Sequence, residues 1–139
     1  MSMFPVASRY IVLVATAVGV FLIGVSRPLH GWDMIGYVAS AYQLDGYRGH
    51  DLLSRTFSDV RADVDDDTFT ILTQGEGRIE RNYRETVHVD PIALTQQIPF
   101  YSIRIAYVEL MRAVSLLGPN YSRSSYIISA TFASLAVLL

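Results

Sequence analysis

Hydrophobic positions along this chain gather into three long runs, and a wetter stretch separates the first from the second. The first run lies between Arg9 and Arg27, where Tyr10 to Ser26 gives 17 residues without a charge. A helix of that length reaches roughly 25 Å, which suffices for a bilayer when the flanking arginines snorkel. Gly24-Val25-Ser26 also offers small residues at the offsets of a signal-peptide cleavage site, the rival reading of this segment. The second run is Ile103 to Leu117. The third, Tyr126 to Leu139, reaches roughly 21 Å against a hydrocarbon core of about 30 Å, so the pattern predicts a helix that the chain leaves unfinished.

The stretch between the first two runs has its own periodicities. Asp33 is expected to cap a helix over Met34 to Leu44, with Ile35, Val38 and Tyr42 on one face. A helix so apolar, directly after a span, is expected to lie in the membrane interface. Leu53, Phe57 and Val60 predict a second helix from Asp51 to Ala62, with an Asp51/Arg55 pair one turn apart. Thr68 to Thr73 and Asn82 to Val89 have β-type composition around Gly75-Glu76-Gly77, which predicts a β-hairpin. Asp90-Pro91 supplies a cap and a first-turn proline for a short helix Ile92 to Gln97, which Pro99 is expected to end.

The fold class that follows is mainly α and polytopic. It has two complete transmembrane helices, a truncated third, and a loop of interfacial helices carrying the hairpin. Residues 1–26 form the first span, 27–101 the loop, and 102–139 the second span, a short turn and the start of the third helix. Composition agrees, with 51% of residues hydrophobic and 17% charged. Cysteine is absent, which excludes a disulfide framework and any thiolate metal site.

Charge asymmetry orients the chain. Between Arg27 and Tyr101 seven arginines face twelve acidic residues, a net charge of −5, whereas four arginines face only Glu109 elsewhere, a net of +3. Arg9, Arg112 and Arg123 flank the spans on one side, so the positive-inside rule puts the N-terminus in the cytoplasm and residues 27–101 outside it, with the cytoplasmic (inner) membrane as location. Partners are then the lipid bilayer and further spans or a partner chain; no nucleic acid is expected.

Candidate chemistry centres on Asp33. A carboxylate held at a helix start just outside a bilayer is kept ionised by the helix N-terminus, and there it can act as a general base on a lipid-linked substrate. Its plainer role is the helix cap itself. Arg104, at the outer boundary of the second span, can hold a lipid phosphate with paired donors or simply snorkel. Glu109 and Arg112, three residues apart, are expected to pair on one helix face. Asp63, Asp65 and Asp67 have the first spacings of a calcium loop, but Thr68 stands where the loop needs glycine and Gln74 where it needs glutamate. The acidic run therefore reads as a solvated turn. No motif implies a cofactor, and a divalent metal has no convincing motif behind it. His30, His50 and His88 are too scattered for a metal site, while Trp32 and Tyr37 fit an aromatic belt.

The order of parts resembles the N-terminal part of the GT-C superfamily of membrane glycosyltransferases. The resemblance rests on a short first span, on Gly31-Trp32-Asp33-Met34-Ile35-Gly36-Tyr37 opening the first outer loop, and on the return through Gln97-Ile98-Pro99-Phe100-Tyr101-Ser102-Ile103-Arg104-Ile105-Ala106-Tyr107. It covers nearly all of this chain but only about the first quarter of such an enzyme. It implies a many-spanning fold that transfers sugar from a polyprenyl-phosphate donor at the outer membrane face. By position Asp33 matches the family's first-loop acid, which assists the acceptor hydroxyl. Many members have a second acid directly after it, where this chain has Met34, so the resemblance leaves metal dependence open. Alone, the chain is expected to have little or no activity. The competing reading is a non-enzymatic anchored protein whose acidic outer loop binds a partner protein. A transporter fragment ranks last, because the apolar runs lack the interruptions that mark midplane sites.

Overall fold

A computed structural model describes the backbone of residues 6–139, with side chains from residue 8. The described residues form eight helices: α1 Val6–Ser26, α2 Asp33–Leu44, α3 Gly49–Asp63, α4 Asp66–Gln74, α5 Arg78–Val89, α6 Pro91–Ser102, α7 Ile105–Ser115 and α8 Tyr121–Leu138. They fall into two compact units. One joins α1 to Ser125–Leu139, and the other is His30–Ser124.

In the first unit α1 has the length and composition of a membrane span. Ser8–Ser26 has a mean hydropathy of 2.0 and is 6% buried, and a signal sequence or the core helix of a soluble protein can have the same composition. Its contact with the C-terminal part of α8 is made of small groups. Ala17 and Ala130 are buried, the Ser134 hydroxyl donates to the Ala17 carbonyl at 2.8 Å, and a Cβ on Gly24 would meet that of Ala130 at 2.8 Å. Small residues let two backbones approach closely enough for such a bond, as in helix pairs within bilayers.

The second unit is built around α2. Met34 to Ala41 are all buried, because α2 packs against α6, α3 and α7 at once. The expectation that α2 lies in the membrane interface is thereby corrected: its apolar residues form the domain core. Helix α3 starts slightly earlier than the pattern indicates, and Leu52 rather than Leu53 faces inward with Phe57 and Val60. Arg55 lies over the Tyr47 ring at 4.0 Å, where a pair with Asp51 was expected.

The expected β-hairpin is instead a pair of helices, α4 and α5. The Asp65 carboxylate accepts from the Thr68 backbone N–H at 2.7 Å and from its hydroxyl at 3.0 Å, and so starts a helix where β-branched residues had suggested a strand. Within these helices the hydroxyls of Thr70, Thr73 and Thr86 turn back to carbonyls four residues earlier. That bond satisfies each hydroxyl within the helix. Gly75, at φ 71°, makes the break between them.

The expected second span also differs. Arg104 turns the chain between α6 and α7, and Gly118, at φ 116°, follows the end of α7. Helix α7 therefore has 11 residues, about 16 Å, too few to cross a bilayer. Its Val108 and Met111 are fully buried in the second unit. Among the described residues α1 is the one helix long and apolar enough to span, so a second complete transmembrane helix is not formed here. Pro99 sits inside α6 rather than at its end. Leu94 and Ile98, which precede it, are buried and hold the helix against its neighbours where the N–H bond is lost. The start of α6 follows expectation, with Asp90 accepting from Ile92 N–H at 2.8 Å and Pro91 in the first turn.

Candidate functional site

Asp33 opens α2 but does not cap it in the usual way. Trp32 holds the cap position without a side-chain bond, and Asp33 is the acid of the first turn. Its Oδ1 accepts instead from the Tyr101 hydroxyl, at 3.2 Å. Tyr101 comes from the end of α6, and its ring reaches Asp33 by passing close against Gly36. A Cβ at residue 36 would stand 2.2 Å from that ring. The absence of a side chain at Gly36 therefore sets the geometry of the carboxylate three residues before it.

Tyr37 lies next to this pair. Its ring meets Tyr101 edge-on at 5.2 Å and Tyr107 at 4.9 Å. The Arg104 guanidinium, from the turn between α6 and α7, donates to the Tyr37 hydroxyl and stands 5.9 Å from the ring centre. The fold thus brings together the two residues singled out from sequence, Asp33 and Arg104, through Tyr37 and Tyr101. Both remain exposed.

Burial, then the charge of Asp33 and its hydrogen bond, push the Tyr101 hydroxyl well above the ordinary tyrosine range. Tyr101 is consequently a donor at any physiological pH, and it occupies one carboxylate oxygen while Oδ2 is left to other donors. Beside Asp33 the Trp32 ring packs against Tyr83 at 5.7 Å and beneath Arg84 at 5.1 Å. The Tyr83 hydroxyl bonds Gln97 of α6.

The remaining candidates have structural roles. Arg112 pairs with Glu109 at 2.8 Å, as expected, and also with Asp45 at 2.9 Å. In the acidic run Asp65 caps α4, Asp66 pairs with Arg61, and Asp63 pairs with Arg123 at 2.9 Å. The Thr68 bonds hold the Asp65 carboxyl below the usual carboxylate range. Among the described residues no group of three or more histidines and acids is arranged to hold a metal ion.

Sequence reading missed Tyr101, Gly36 and Asp59. The signal for Tyr101 was present in its spacing with Arg104 and Tyr107, one turn apart each. For Asp59 there was none, because its partners lie in other helices. Buried in α3, Asp59 accepts from the Tyr42 hydroxyl at 2.8 Å and from the backbone N–H groups of Tyr121 and Ser122 at 3.0 and 2.9 Å. Four satisfied bonds, counting that from Asn120 to its carbonyl, make it a structural carboxylate. No family model, no curated protein and no solved structure matches this chain.

Proposed function

We propose that the chain is the membrane-anchored N-terminal portion of a glycosyltransferase that uses a polyprenyl-phosphate-linked sugar. The observation that supports this reading is the junction of Asp33 and Arg104 through Tyr101 and Tyr37. Such a reaction needs a base for the acceptor hydroxyl and a cation for the departing phosphate, and this cluster supplies one of each.

In the step proposed, Asp33 Oδ2 takes the proton of the acceptor hydroxyl and the freed oxygen bonds to the anomeric carbon. The bond from that carbon to the phosphate oxygen breaks, and its electron pair leaves with the polyprenyl phosphate. Arg104 releases Tyr37 and offsets the charge that develops on the phosphate. Tyr101 keeps Oδ1 occupied, which fixes the direction of the carboxylate.

In this reading α1 is a span of the inner membrane with its N-terminus in the cytoplasm. Residues 27–101 then lie on the outer side, where Arg27 begins the acidic stretch. The acceptor and donor need walls that one acid and one cation do not supply, so activity requires further helices or a partner chain. The alternative of an acidic docking loop is weakened by the engagement of Asp45, Asp59, Asp63, Asp65 and Asp66 in internal bonds.

The test is sugar transfer from a labelled polyprenyl-phosphate donor in native membranes. Asp33→Asn is expected to abolish transfer while leaving the amount of chain in the membrane unchanged, and retained transfer would remove the catalytic assignment.

A further inference from the structure

Helix α6 is apolar on both of its faces. Leu94 and Ile98 are buried on one side, whereas Ile92, Phe100 and Ile103, on the opposite side at spacings of eight and three residues, are 67%, 71% and 80% exposed. Gln96 and Pro99 complete the outward stripe, and the 12 residues of α6 include no charge. A surface helix of a soluble domain carries charged residues on its outer face. An uncharged outward stripe needs an apolar neighbour.

We infer that this stripe seats the His30–Ser124 unit on the surface of an anionic bilayer. Three features favour lipid over a protein partner. Arg104 is itself exposed, and with it a cation directly follows Ile103, the most exposed apolar side chain of the stripe, as a headgroup phosphate requires. Tyr101 and Tyr107, half-buried against the Tyr37 ring, lie beside that arginine, and tyrosine favours the headgroup level. The chain also reaches this unit a few residues after Ser26, the end of a helix composed as a span. The interfacial role that the sequence assigned to α2 falls instead to α6 and the turn after it. This inference does not require Asp33 to be a base.

The absence of cysteine makes the test direct. The full chain, reconstituted in vesicles of phosphatidylcholine mixed with phosphatidylglycerol, carries an environment-sensitive fluorophore on a single introduced cysteine. The positions are Ile92→Cys, Phe100→Cys and Ile103→Cys, with Ser58→Cys on the exposed side of α3 as reference. Emission from residues 100 and 103 should shift to the blue and be quenched several-fold more than at Ser58 by lipids with a spin label high on the acyl chain. Ile92 keeps the stripe testable if one of the other variants fails to fold. Emission at 100 and 103 as wet as at 58 would overturn the inference. A blue shift without quenching by lipid would overturn it as well, since that places protein over the stripe.

Discussion

Asp59 and Ser122 are joined across 63 residues of sequence by a 2.9 Å bond from the Ser122 backbone N–H to Asp59 Oδ1. A side chain of α3 therefore caps α8, and Tyr42 of α2 closes the group from a third helix. Asp59→Ala would leave two helix-start N–H groups and a half-buried hydroxyl without their acceptor. The expected cost is about 3 kcal/mol of stability, read as a lower unfolding midpoint by circular dichroism in detergent. Glu85→Ala, at an exposed mid-helix position, should change it by less than about 0.5 kcal/mol.

The same group sets an alkaline limit. Burial first, then the charge of Asp59, raise the Tyr42 pKa well above its ordinary value of 10.0. A raised folded-state pKa means that this stability is complete below about pH 10 and is lost as pH rises toward the folded value. Unfolding midpoints should fall above pH 10, and Tyr42→Phe should make that fall shallower.

His88 works at the other end of the scale. Its ring lies edge-on to Phe57 at 4.6 Å and Phe69 at 5.8 Å, and burial lowers its pKa below 6.5. The unfolded chain then binds the proton more readily than the folded one, so stability is complete above about pH 6.5 and falls as pH drops through the folded value. His88→Gln should flatten the fall in unfolding midpoint between pH 7 and pH 5. An unchanged slope would show that other groups carry the acid response.

Gly36 offers a sharper probe of the site. A methyl group there would stand 2.2 Å from the Tyr101 ring, so Gly36→Ala must displace Tyr101 and break its bond to Asp33. Overpacking of this kind costs about 1–3 kcal/mol. Sugar transfer should fall with it, and a Tyr101→Phe variant, which keeps the ring and removes only the hydroxyl, should keep stability but lose part of the rate.

Local signals in the sequence located α1, α2, α3 and the start of α6, and missed the helical nature of α4 and α5 and the shortness of α7. The apolar run between two arginines, the start of α2 at Asp33, the Asp90-Pro91 start of α6 and the Glu109/Arg112 pair all depend on neighbours within a turn or two. The α4–α5 pair was read as strands because Thr68, Thr70 and Thr73 favour sheets in isolation, while the Asp65 cap starts α4 as a helix and Gly75 separates it from α5. Helix α2 was assigned to the interface because its apolarity is the same whether lipid or protein covers it. Asp33 and Arg104 were each visible as unusual charges near an apolar run. Their junction was not, because it depends on Tyr101 fitting against Gly36 across two helices.

The central claim is that Asp33 removes a proton while Arg104 holds the phosphate. Steady-state sugar transfer measured in native membranes for Asp33→Asn and Arg104→Gln separates the two roles. Asp33→Asn should lower kcat by at least about 100-fold, the scale of a lost general base, with KM for the donor nearly unchanged. Arg104→Gln should raise KM for the polyprenyl-phosphate donor. An Asp33→Asn enzyme that keeps its kcat would contradict the account.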